Sequence, residues 1–115
     1  MPEISKNDFV IGFVPEHNHG SVDYTSINHI TGNHVHQCLD ISGPSIPTED
    51  GSHIHESEGY VLFENGHYHY YKSCSGSAIP VGEGMHVHYY DFYTTQNDGH
   101  RHRIRGVDQP APGNI

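Results

Sequence analysis

The chain has no tryptophan and only two residues each of leucine, alanine, methionine and cysteine. Few strong helix formers, against 20 glycine plus proline residues spread along 115, disfavour helix. Leu, Ile, Val and Phe together make 24 of 115 residues, about 21%, just above the ~20% level below which chains tend to stay disordered. An oily core is therefore thin, and metal or oligomerisation is the usual substitute in a small domain. No apolar run approaches the ~18 residues that cross a membrane. The Phe9 to Val14 run lacks the length and basic flank of a secretory signal, so the mature chain is expected to begin at Met1. The expected compartment is the cytoplasm, with incorporation into an extracellular or virion assembly as the alternative.

Basic residues are scarce as well. Five Lys plus Arg against 14 Asp plus Glu give a net charge of -9, which argues against nucleic acid as a partner and suits cation binding. Cys38 and Cys74 form no CxxC motif and no disulfide framework, so they are read as small buried or half-buried side chains.

What the chain has is histidine, 13 residues of it. Twelve fall in His-x-His pairs: His17/His19, His34/His36, His53/His55, His67/His69, His86/His88 and His100/His102, leaving His29 as a turn or surface residue. The spacings of 19 and 14 residues between the later pairs alternate and sum to a 33-residue repeat. Superposing 34–66 on 67–99 gives 11 identities, among them all four histidines, Ser42/Ser75, Ile46-Pro47/Ile79-Pro80, Gly51/Gly84, Tyr60/Tyr93 and Gly66/Gly99. One domain over 1–115 is expected, with an irregular half copy (1–33), two full copies (34–66 and 67–99) and a truncated third (100–115).

Val, Ile, Thr, Tyr and Phe dominate after each pair, and Asn65-Gly66 and Asp98-Gly99 are hairpin-turn signals. The fold class is all-β, built of short strands and hairpins, wound on itself or intertwined with other subunits. On a strand, residues i and i+2 share a face, so both imidazoles of a pair point the same way. Val35, Ile54, Tyr68 and Val87 point oppositely, and the parity continues through Leu39, Ile41, Tyr60, Leu62, Tyr89 and Tyr93. The strands thus have a histidine face and an apolar face, with Asn18 and Arg101 marking the terminal pairs as edges. The tyrosines Tyr68, Tyr70, Tyr71, Tyr89, Tyr90 and Tyr93 are read as strand packing and hydrogen bonding around the histidines, and Glu49, Asp50, Glu56 and Glu58 as solvated.

Neutral imidazole is a ligand for transition metals, and a His-x-His pair offers two donors from one rigid face. Two pairs meeting supply the four nitrogens of tetrahedral zinc; three supply the six of an octahedral Fe(II), Co(II) or Ni(II) site. The chain can therefore make three four-histidine or two six-histidine sites, and a homotrimer with the pairs on its axis makes six. Fe(II) and Zn(II) lead the expected metals, with Ni(II), Co(II) and Cu(II) behind them. In a plain antiparallel hairpin, pairs at both strand starts lie at opposite ends, so pairs meet through non-neighbouring strands or another subunit. That favours a homo-oligomer, a trimer first, or a wound repeat.

The residues Gly66-His67-Tyr68-His69-Tyr70-Tyr71, Ser75-Gly76, Ala78-Ile79-Pro80, Gly84-Met85-His86-Val87-His88, Tyr93-Thr94-Thr95 and Asp98-Gly99-His100-Arg101-His102-Arg103 resemble the bacterial YmaF family. The resemblance runs from about His34 to Gly113 and implies the alternating histidine spacing without assigning an activity. The chain departs from the family's threonines at Val61, which stands where Thr94 does, and at Ser75 and Asp108. A looser similarity, in the His-x-His motif and Gly/Thr-rich strands alone, is to the tips of phage long tail fibres, and it implies iron and an intertwined trimer. No pair is singled out from the other five, and no His-x-His-x(3,4)-Glu pattern occurs, so an enzyme is not expected. The leading expectation is a protein whose several metal ions cross-link strands or subunits. A soluble metal buffer or carrier is the alternative, and a metalloenzyme comes third.

Overall fold

The computed structural model describes residues 16–113, so the Phe9 to Val14 run lies outside the described residues. Among them there is no helix. The strands are β1 (Gly20–Tyr24), β2 (Gln37–Ile41), β3 (Ser45–Pro47), β4 (His53–Tyr60), β5 (Tyr70–Cys74), β6 (Ala78–Gly82), β7 (Met85–Tyr93), β8 (Arg103–Val107) and β9 (Ala111–Pro112).

Three antiparallel hairpins carry the architecture: β1 with β2, β4 with β5, and β7 with β8. Short β3 and β6 add to the starts of β4 and β7, and β9 pairs with β7 from the C-terminus. The predicted turns fall where the sequence asks for them. Asn65 and Gly66 (φ 53° and 82°) and Asp98 and Gly99 (φ 52° and 78°) take the left-handed pair of conformations that a tight hairpin turn requires. Each turn is closed by backbone bonds, between Glu64 and His67 and between Asn97 and His100.

The hairpins join side by side through the same two backbone hydrogen bonds at every seam. Between β2 and β4, Gly43 N donates to Glu56 O (2.8 Å) and Leu62 N to Gln37 O (2.8 Å). Between β5 and β7 the bonds are Gly76 N to Tyr89 O (2.9 Å) and Thr95 N to Tyr70 O (2.8 Å). The third seam closes the ring between the two ends of the chain: Gln109 N donates to Gly20 O (2.8 Å) and Ser26 N to Arg103 O (2.9 Å). The hairpins thus stand around one axis as a three-sided prism.

The alternation runs inward and outward as the strand period requires, and it is the histidine face that points in. Leu39, Ile41, Tyr60, Leu62, Tyr89 and Tyr93 are all exposed, while Val87 is buried. Arg101 sits over the Tyr93 ring at 4.1 Å on the outer surface. The apolar core is small and central, consisting of buried Cys38, Val61, Tyr71 and Ile104 with Tyr90 and Phe92 packed against them. Tyr71 donates its hydroxyl to Asp40 Oδ1 (2.6 Å), which also satisfies a carboxylate facing inward; Tyr90 bonds Asp23 in the same way. Opposite these rings stand Gly59 and Gly106, where a Cβ would lie 3.1 Å from the Tyr71 hydroxyl and 3.2 Å from that of Tyr90. Only glycine leaves the rings this room across the strand pair.

Of the cysteines, Cys38 is buried as expected, whereas Cys74 is exposed, and both are free. Cys74 sits at the outward position of β5, opposite Glu56. His29 is exposed and bonds Asn33 in its own loop, and Glu49, Asp50, Glu56 and Glu58 are exposed.

Candidate metal centres

Each hairpin carries one His-x-His pair at the start of each of its strands, hence one at each end of the prism. Three hairpins side by side therefore gather three pairs at either end. The first cage contains His17, His19, His53, His55, His86 and His88; the second contains His34, His36, His67, His69, His100 and His102. In each, one nitrogen per residue lies within 4.8 Å of all the others, and such a group could hold a metal ion. All twelve paired histidines are thus brought together, six and six, and His29 stays outside. Both groups are complete within one chain, so no second subunit is needed to build them.

Within a cage every ring meets four others edge to face and leaves one opposite. In the first cage the ring centroids of neighbours are 4.6–5.0 Å apart, and the opposed pairs are His17/His88, His19/His53 and His55/His86. In the second, neighbours are 4.8–5.1 Å apart and the opposed pairs are His34/His69, His36/His100 and His67/His102. Four neighbours and one opposite is the connectivity of an octahedron.

The proton positions follow from the outer partners. A backbone carbonyl only accepts, so an imidazole facing one must carry its proton on that nitrogen. In the second cage all six Nδ1–H groups donate to carbonyls: His34 to Gly32, His36 to Leu62, His67 to Asn65, His69 to Thr95, His100 to Asp98 and His102 to Ser26, at 2.7–3.1 Å. In the first cage His19, His55, His86 and His88 do the same to Gln109, Gly43, Gly113 and Gly76, at 2.7–3.0 Å. His17 Nδ1 has the Ser45 hydroxyl at 3.4 Å, and His53 Nδ1 is buried without a partner.

In the ten histidines so bonded the inward Nε2 atom is then a bare lone pair. The Nε2 atoms approach one another to 3.0–3.2 Å in both cages. Two acceptors at that separation form no hydrogen bond, and six of them repel unless a cation sits between. His69 Nε2 is buried with no hydrogen-bond partner at all. An octahedral edge is √2 times the metal–ligand distance, so these contacts correspond to about 2.1–2.3 Å from a central ion, within reach of ordinary metal–imidazole bonds of roughly 2.0–2.1 Å.

A further set of bonds fixes the backbone of the second histidine of each pair. The residue eight positions after the first histidine of a pair supplies a side-chain oxygen to the N–H of a histidine across the hairpin. Thr25 accepts from His36 (2.9 Å), Ser42 from His19 (2.9 Å), Ser75 from His55 (3.0 Å), Thr94 from His102 (3.0 Å) and Asp108 from His88 (2.8 Å). Val61 holds the sixth such position, opposite His69, and has no oxygen to offer; only the backbone bond from Val61 N to His69 O (3.0 Å) remains there. The sequence had shown Ser75 and Asp108 at threonine-like positions, but their role as anchors for the histidine backbone was visible only once the hairpins were paired.

Electrostatics agree with a set of neutral ligands. Burial, reinforced by the neighbouring imidazoles, pushes His53 down to about 3. Burial likewise brings His88 and His102 down to about 4, and it lowers His36, His55, His69 and His86. His19 is the exception: burial lowers it, but the Asp108 carboxylate, 3.2 Å from Nδ1, and the Gln109 carbonyl outweigh that and raise it.

Among known proteins, the family described as "YmaF: Spore germination protein GerY/YamF" matches residues 14–109, which takes in every paired histidine. No curated protein and no solved structure matches the chain.

Proposed function

The chain belongs to the YmaF family, and for this member of it we propose a two-site transition-metal protein in which each six-histidine cage holds one octahedral divalent ion. The ions lock three hairpins together at both ends and substitute for a core that apolar residues are too few to build. The observation that carries the reading is the octahedral set of bare Nε2 atoms, 3.0–3.2 Å apart, with the Nδ1–H groups turned outward onto carbonyls. Those outward bonds fix the tautomer and raise the basicity of the ligand, as outer-shell partners of metal-bound histidines commonly do.

Six imidazoles and no carboxylate favour Fe(II), Co(II) or Ni(II). Zn(II) prefers four ligands in a tetrahedron and Cu(II) a tetragonal set, while Mg(II), Ca(II) and Mn(II) prefer oxygen. Fe(II) is our first choice. A full set of six protein ligands also argues for a structural rather than a catalytic ion, since a catalytic site keeps a position open for water or substrate. Completion of both cages by a single chain supports a functional monomer over the trimer expected from sequence.

Metal analysis of protein purified without a nickel column tests the proposal. Two ions per chain are expected, together with a large fall in melting temperature when a chelator removes them, because ion binding and folding are coupled. Protein that carries no ion, takes up none from Fe(II), Co(II) or Ni(II), and melts identically in EDTA would refute it.

A further inference from the structure

The two cages are alike in ligand set but not in setting. We infer that the first cage is a metal-exchange site with His17 as its displaceable ligand, and that the second retains its ion as a permanent part of the fold. This inference rests on the six-histidine reading above. It assigns to one molecule both a structural site and an exchangeable one.

Exposure distinguishes the cages first. All six histidines of the second are buried, whereas His17 of the first is only half-buried. A surface recess lined by Glu16, His17, Asn18, Ser42 and Pro44 opens beside it. A carboxylate thus stands at the mouth of a path that ends on a ligand.

The anchoring differs as well. In the second cage the first histidine of each pair is bridged through its backbone, His34 with Asn28, His67 with Glu64 and His100 with Asn97. In the first cage His53 lies in β4 opposite Pro47, and His86 in β7 opposite Pro80 and Ala111. His17 precedes β1, and beside it Glu16 Oε1 accepts from His17 N (3.2 Å) and from Ser45 N (3.0 Å). His53 Nδ1, buried without a partner, further reduces the outer bonding of this cage.

A partly exposed ligand alone would make a leaky site, and Asp108 opposes that. Its carboxylate lies against His19 Nδ1 at 3.2 Å, an arrangement that makes the imidazole a stronger donor. In the second cage the nearest counterpart is the exposed Asp98, whose carboxylate lies 3.4 Å from His67 Nδ1 and is far more open to water than that of Asp108. Thermodynamic hold comes from Asp108 and kinetic access from His17. In the exchange step the bond from the ion to His17 Nε2 breaks and a bond to an oxygen of water or a chelator forms in its place. No electron moves, and the freed imidazole turns into the recess.

Release of Co(II) from fully loaded protein into excess EDTA, followed by absorbance and by metal count, tests this. One ion per chain is expected to leave at least tenfold faster than the other. His17→Ala should accelerate the fast phase about tenfold or more and leave the slow phase unchanged, whereas His34→Ala should convert the slow phase to a fast one. Release of both ions in a single phase from the wild-type protein would overturn the inference while leaving two six-histidine sites intact. So would an effect of His17→Ala on the slow phase. Fewer than two ions per chain before EDTA is added would refute the cages themselves, and this inference with them.

Discussion

Replacing Thr94 with valine isolates one structural device at nearly constant volume. Thr94 Oγ1 accepts the backbone N–H of His102 at 3.0 Å and donates to the Thr95 carbonyl at 3.1 Å. Both residues are buried, so water cannot replace the lost acceptor, and the stranded N–H costs about 1–3 kcal/mol. For a domain of this size, each kcal/mol corresponds to roughly 4–8 °C, so Thr94→Val is expected to lower the melting temperature by roughly 4–24 °C. The reverse change, Val61→Thr, supplies the missing acceptor for His69. Its hydroxyl can donate to the Leu62 carbonyl, which takes only the His36 Nδ1–H (2.9 Å) and keeps a lone pair. The hydrogen bond returns at most about 1 kcal/mol, so a rise of a few degrees is expected. Urea unfolding of both variants in the metal-loaded state checks this, with the midpoint moving and the slope unchanged. A Thr94→Val protein as stable as wild type, or a Val61→Thr protein less stable than wild type, would refute the reasoning.

Acid should destabilise the fold. Unfolded imidazoles titrate near 6.5, while burial holds His53 at about 3 and His88 and His102 at about 4. Above pH 6.5 neither state binds these protons. Below it the unfolded chain takes them up first, and stability falls by roughly 1.4 kcal/mol per pH unit for each group down to about pH 4. The raised His19 contributes with the opposite sign. A urea midpoint that stays flat from pH 7 to 5 would contradict the neutral cages. The same depression means that bound metal should survive below the 6.5 suggested by free histidine. Asp108→Asn keeps an acceptor for His88 N but removes the charge beside His19, and should weaken the first cage about tenfold in a competition titration without touching the second; equal weakening of both would be the contrary result. Native protein should show one reactive thiol per chain, Cys74, because Cys38 is buried and burial pushes its thiol up to about 11. Two thiols reacting at one rate would displace Cys38 from the core.

Local features were legible from the sequence because they depend on few residues. The strand alternation, the Asn65-Gly66 and Asp98-Gly99 turns and the pairing of twelve histidines all follow from spacing of two to four residues. Two features were not. The direction of the histidine face runs against hydrophobicity, which would bury Leu39, Ile41 and Tyr60 rather than His36 and His55. On the proposed reading it depends on an ion the sequence does not contain. The division into two groups of six depends on closure of a third seam, where Gln109 meets Gly20 and Arg103 meets Ser26. Residues so far apart in sequence leave no local signal. The opposite-ends property of a hairpin held, but three hairpins in one chain meet the need for non-neighbouring strands that had pointed to a trimer.

That closure also explains why six ligands, and not four, bear on folding. An octahedral cage drawn from three hairpins exists only when all three are in place, since any two supply four imidazoles in part of an octahedron. The first cage joins His17 to His86, 69 residues away, and bringing such distant segments together carries a loop-closure cost. An ion that binds only the closed ring offsets that cost with its full binding energy, because the open chain presents no equivalent site. On the proposed reading the prism needs its ions most at the ends, where imidazoles rather than apolar side chains fill the interior, while the central Cys38, Tyr71 and Ile104 layer requires none.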